Sequence, residues 1–93
     1  MFYRVNVVKY APKDRDAVLA FLDSMRDDMA QIDGLKSVTI VETAPGQAHG
    51  FAGYESEAHM EAAAPIVQKI MGGMAQWMTA PPEMNMGHQM WSL

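Results

Sequence analysis

Four polar side chains in this sequence are of types that can hold a ligand or move a proton: Arg4, Asn6, Tyr54 and His59. Asn6 lies inside an apolar run from Phe2 to Tyr10, where a carboxamide is either hydrogen-bonded or left with the cost of desolvation. Arg4 stands two residues before it. Tyr54 closes a later extended segment and His59 follows in the first turns of a helix. A histidine titrates in the range of general acid–base work, and a tyrosine or asparagine can hydrogen-bond a bound group. Each residue also has a plainer reading. Asn6 can be a buried amide tied to backbone or to Arg4. His59 can face solvent between Glu57 and Glu61, because the apolar seam of its helix passes through Met60.

Other chemistries find less support. His49 and His88 are isolated, and no HxH, HxxxH or HExxH spacing points to a metal. Six of the ten methionines, Met71, Met74, Met78, Met84, Met86 and Met90, fall late in the chain. Met84-Asn85-Met86 has a spacing open to Cu(I), but methionine is more simply an adaptable filler of an irregular core or of a pocket for flat apolar ligands. Nucleophile elbows, phosphate-binding glycine loops and dinucleotide fingerprints are absent; Gly72-Gly73 lies inside a helical stretch without the preceding strand such a loop needs. We expect no metal and no cofactor.

The elements that position these residues read in the order βαββαβ over a single domain, 1–93. The first strand, Phe2 to Tyr10, puts Tyr3, Val5 and Val7 on one face and Phe2, Val8 and Tyr10 on the other. A helix from about Asp14 to Ile32 follows, with the stripe Val18, Phe21, Leu22, Met25, Met29 and Ile32, and Gly34 stops it. Strand two, Leu35 to Thr43, turns at Ala44 to Gln47 into strand three, His49 to Tyr54. Gly50 and Gly53 in strand three read as a bulge or a subunit contact. Ser56 caps a second helix whose seam is Met60, Ala63, Val67, Ile70, Met74 and Trp77. Pro65 splits it and opens the second piece. Gly72 and Gly73 weaken that piece, as if something needed the room. Pro81 and Pro82 end it, and Met84 to Leu93 forms the last strand. Trp77 and Trp91 read as pocket lining or as core or interface anchors.

The order predicts an α+β, ferredoxin-like sandwich with a four-stranded antiparallel sheet. Two helices cover only one face of such a sheet, and strands one and two are apolar on both, so the uncovered face is expected to meet a second copy in a homodimer. A domain of this length gains stability from that burial. The chain has no cysteine, which removes thiolate chemistry and disulfides and suits the cytoplasm. Arg4, Asn6 and Lys9 interrupt the opening strand, so no signal or membrane-spanning run is expected there. A formal charge of −4 with basic residues scattered singly disfavours nucleic acid as a partner.

Three segments carry a resemblance: Tyr3-Arg4-Val5-Asn6-Val7-Val8-Lys9-Tyr10-Ala11-Pro12-Lys13, Ile32-Asp33-Gly34-Leu35, and Gly53-Tyr54-Glu55-Ser56-Glu57-Ala58. Over nearly its whole length the chain resembles the dimeric α/β-barrel superfamily, and within it the antibiotic-biosynthesis monooxygenase family. The resemblance implies two ferredoxin-like sheets joined into a shared barrel, with a cofactor-free oxygenation of a flat phenolic or quinone-like substrate. Asn6 and His59 would then orient or deprotonate the substrate while Tyr54 and Arg4 hold negative charge. Val8, Val67, Met74 and Trp77 would line its cavity between sheet and helices. Haem-degrading relatives are implied to place a histidine ligand near Gly72 or Gly73, where glycine supplies none. A non-catalytic dimer with a filled or ligand-holding cavity is the alternative, and an isomerase or lyase on the same barrel is a third.

Overall fold

The computed structural model describes all 93 residues. The chain runs through β1 (Phe2–Lys9), α1 (Arg15–Ser24), α2 (Arg26–Ala30), β2 (Leu35–Ala44), β3 (Gln47–Tyr54), α3 (Glu57–Ala62), α4 (Ala64–Met74) and β4 (Glu83–His88), with 3-10 turns at Pro12–Asp14 and Ala75–Trp77. Its strands form one antiparallel sheet in the order β2-β3-β1-β4. That is the ferredoxin-like arrangement expected from the element order.

Alternation in β1 decides what reaches the helices. Asn6 pairs with Gly50 of β3 and Met84 of β4, and Arg4 with Ala52 and Met86, so these positions share the face on which Phe2 packs. There Phe2, Ile32, Ala52, Tyr54, Met60 and Ala63 form the larger core cluster. Met25, Ile70 and Met74 form a second between the helices. The other sheet face carries Tyr3, Val5, Val7, Val41 and Phe51, of which Val41 and Phe51 are exposed.

Three local expectations are refined and one, at Pro65, is met. The first helix breaks at Met25, whose N–H is shared between the carbonyls of Phe21 and Leu22, and this tightened turn buries Met25. Pro65 does open a separate helix, α4, after the break at Ala63. No bulge occurs at Gly50 or Gly53; the irregularities lie across the ladder, on β2, between Leu35 and Ser37 and between Glu42 and Ala44. Gly53 instead leaves room for the Tyr3 ring, whose Cε2 would be 2.9 Å from an added Cβ. The last strand is shorter than expected: it ends at His88, which pairs with Phe2, and its last backbone bond to β1 runs from Gln89 N–H to the Met1 carbonyl. Met90 and Trp91 therefore stay exposed, Trp91 at 76%, and Trp91 anchors no core within the chain.

The two glycines of α4 behave differently. An added Cβ at Gly73 would overlap the Phe21 ring, so close approach of α1 requires glycine there, while Gly72 faces open space. The α1–α4 contact that this permits sets the spacing of the helices above the sheet.

Candidate functional site

Between the helices and the sheet lies a cavity of about 90 Å³. Its floor is the inward face of β1 and β3, and its walls come from α1, α2 and α4. Most of the lining is apolar; Arg4, Asn6 and Tyr54 are its polar groups. Val38 and Ile40 of β2 belong to the same face yet are 45% and 43% exposed, which opens the cavity toward a broader groove along β2.

Arg4 is 8% exposed. Its Nη2 donates to the Tyr54 hydroxyl at 2.6 Å, and its guanidinium carbon lies 5.3 Å from the Tyr54 ring centroid. Tyr54 is fully buried and braces the cation from within the core. No carboxylate pairs with Arg4. Its Nε and the Asn6 Oδ1 are both buried without a protein partner. Which Asn6 atom is oxygen and which nitrogen rests on partners, and here the oxygen has none. Each orphaned neutral group of this kind costs about 1–3 kcal/mol, and an uncompensated buried cation costs several more. Gly50 faces Asn6 across the ladder, where an added Cβ would sit 3.9 Å from the Asn6 Cβ; with no side chain there, nothing from β3 reaches over to satisfy the amide.

Of the residues singled out from sequence, Arg4, Asn6, Tyr54, Val8, Val67 and Met74 line this cavity together. Trp77 lines a neighbouring one, with its ring tilted against Phe21 at 5.7 Å. His59 lines neither. Its N–H is capped by Ser56 Oγ at 3.2 Å and its ring Nδ1 lies 2.6 Å from the same hydroxyl. Nε2 lies 3.7 Å from Asp33 and 3.9 Å from Glu55. The ring packs on Gly34, which holds a positive φ of 79° and where a side chain would overlap it. One residue before the buried Met60, His59 points away from the seam and fastens the α2–β2 turn to the start of α3. His49 and His88 are not brought together. His49 pairs with Val7 on the uncovered face, and His88 stacks on Phe2 at 4.8 Å on the helical side.

Sequence reasoning missed a second polar group of residues. Glu42 Oε2 accepts from the Tyr10 hydroxyl at 2.5 Å and from Arg15 Nε at 2.9 Å. Tyr10 donating to Glu42 pulls that carboxyl below its ordinary range, with Arg15 adding to the effect, while the same bond holds the Tyr10 phenol above its own. The signal was present in the strand alternation, which places Glu42 on the same face as Val38 and Ile40.

Neither a protein-family model nor a curated protein matches this sequence. Solved structures do match in shape. A monooxygenase from the gene ActVA-Orf6 of Streptomyces coelicolor, solved with the ligand nanaomycin D, superposes with a TM-score of 0.81 over 99% of this chain and 89% of its own, at 15% identity. An antibiotic biosynthesis monooxygenase superposes at 0.78, covering 96% and 98% at 12% identity. A protein of unknown function from Nitrosomonas europaea, NE2512, reaches 0.82 over 99% and 91% at 17% identity. No helix here is long and apolar enough to cross a membrane. The chain has the fold shared by the antibiotic biosynthesis monooxygenases.

Proposed function

We propose that this protein is a cofactor-independent monooxygenase that oxidises a flat phenolic or quinone-like molecule in the cavity at Arg4 and Asn6, working as a cytoplasmic homodimer. The observation that carries this reading is the buried Arg4 guanidinium, which lines the cavity, has no carboxylate partner and leaves its Nε unpaired. A cation held so at a folding cost is matched by an anion that arrives with the ligand.

In this reading Arg4 binds the substrate as its phenolate, Asn6 orients a neighbouring oxygen, and the Tyr54 hydroxyl keeps the guanidinium in place. Val8, Val67 and Met74 enclose the ring system. The cavity lining holds no histidine or carboxylate, so stabilising the phenolate at Arg4 takes the part that a base would otherwise play. The electron-rich ring carbon then reacts with oxygen. A carbon–oxygen bond forms, and the hydroperoxide loses water to leave a quinone, so one oxygen atom stays in the product and the other departs as water. His59, held against Gly34 and Ser56, serves as a fastening of the fold in this scheme.

Oxygen uptake across a panel of hydroxylated naphthalenes and anthracenes tests the reading, with Asn6→Ala as its control. Turnover is expected to fall by about tenfold to a hundredfold in that variant. Unchanged turnover would remove Asn6 from the site. For the dimer, the exposed Val41 and Phe51 beside Tyr3, Val5 and Val7 form the apolar patch to be covered. A folded monomer in sedimentation at micromolar concentration would defeat it.

A second reading is favoured by the small free volume and by Met29, Met71 and Met74 in the walls. A non-catalytic dimer with this cavity would bind the same anions without consuming oxygen.

A further inference from the structure

The cavity at Arg4 has a neighbour of about 140 Å³ on the same side of the sheet. Val8, Leu22, Ile40 and Met74 line both, so the two cavities adjoin across these four side chains, end to end along the sheet. Each alone is too small for a fused-ring molecule, so one seated at Arg4 extends past these four side chains into the second compartment.

The two ends differ in charge. At one end Arg4 is buried and has no acidic partner. At the other, Arg15 and Glu42 are already paired and Tyr10 donates to the carboxylate. A ligand group at this second end meets a balanced cation and anion, with the Glu42 Oε1 and the outer guanidinium nitrogens of Arg15 outside those two bonds. Such a station suits a neutral hydroxyl or carbonyl and gains nothing from a further charge. The flat ring of Trp77 lines this compartment. Asn6 and Tyr10 are four residues apart on one strand face, a span of about 13 Å that exceeds a single aromatic ring and suits three fused ones.

We infer that the second compartment is a ligand-binding subsite: the protein takes an elongated, planar, fused-ring molecule with an acidic group at Arg4 and a neutral hydroxyl or carbonyl at the Tyr10–Glu42–Arg15 cluster. This rests on the reading of Arg4 as the anion site, and it adds length and a second polar end to what the substrate must have.

Calorimetric titration with two probes separates the claims. Salicylate is short and reaches only the Arg4 end; a linear hydroxyanthraquinone carboxylate, with its hydroxyl on the far ring, reaches both. Glu42→Gln is expected to weaken the long probe about fivefold and to leave salicylate within twofold. Arg15→Gln should act in the same direction. The anthraquinone lacking the far hydroxyl should lose the sensitivity to Glu42→Gln. Arg4→Met should weaken both probes. If Glu42→Gln and Arg15→Gln leave the long probe unaffected, or weaken both probes alike, the subsite is overturned while the Arg4 reading stands. If neither probe binds, or if Arg4→Met changes neither, the Arg4 reading fails and the subsite with it.

Discussion

Two arginines on the helical side of the same sheet are held in opposite ways. Arg15 is half exposed and has Glu42 at 2.9 Å; Arg4 is buried and has only the neutral hydroxyl of Tyr54. Exposed pairs like the first contribute little to stability, because water screens them and ordering two long side chains costs entropy. An unpaired buried charge lowers stability far more. The second arrangement works against the fold's own stability, and for that reason the proposed anion site is put at Arg4 and not at Arg15.

The strongest way to break this contrast is Arg4→Met. Binding of phenolic carboxylates should fall by about a hundredfold or more, while the unliganded protein becomes no less stable, and gains up to about 1–3 kcal/mol as the uncompensated charge is removed. Calorimetry and urea unfolding read the two effects. Simultaneous loss of stability and binding would mean that Arg4 is a structural residue.

Tyr54→Phe should come next. Removing the one hydroxyl that holds the guanidinium leaves Arg4 with no side-chain partner, costing about 1–3 kcal/mol in chemical unfolding. Binding at Arg4 should weaken about tenfold, since the cation is no longer positioned. A Tyr54→Phe protein with wild-type affinity would show that Arg4 positions itself without it.

The spacing of α1 and α4 above the sheet rests on the close passage of Phe21 over Gly73. Gly73→Ala should cost about 1–3 kcal/mol by forcing α1 and α4 apart. Gly72→Ala, one residue away in open space, should instead stabilise by up to about 1 kcal/mol. Equal effects of the two substitutions in thermal unfolding would sink this account of the helix spacing.

The smallest effect concerns the Arg15 end and appears in the pH profile. The Glu42 pKa is lowered in the folded chain below its ordinary 4.5, so its contribution to stability is present above that value and is lost as pH falls through the lowered one. The Tyr10 pKa is raised above its ordinary 10.0; its contribution is present below pH 10 and is lost as pH rises through the raised value. Glu42→Gln should flatten both limbs of the stability profile, and an unaltered acid limb would show that the pair is not formed in solution.

Much of the arrangement was legible in the residues. Alternating apolar positions in β1 and β2, the seam from Met60 to Met74 and the split at Pro65 follow from periods of two and of three to four and from the missing proline N–H. Asn6 stood out because an amide among valines needs a partner, and Arg4 and Tyr54 were both marked. What misled was position along the chain: His59 follows Tyr54 by five residues, but Tyr54 ends a strand facing inward while His59 stands one step off the buried seam of α3. At Gly50 and Gly53 the bulge reading misled, since a glycine in a strand states that room is needed without saying for what.

By itself the sequence determined the element order, the sandwich class and the polar residues that needed explaining, because these follow from local periodicity and from the cost of burying polar atoms. The tertiary structure alone decided that Tyr54, fifty positions from Arg4, would hold it; that no carboxylate would; and that Glu42 would take both Tyr10 and Arg15. Whether a charge is paired depends on strand register and helix spacing, which join residues that no local pattern links.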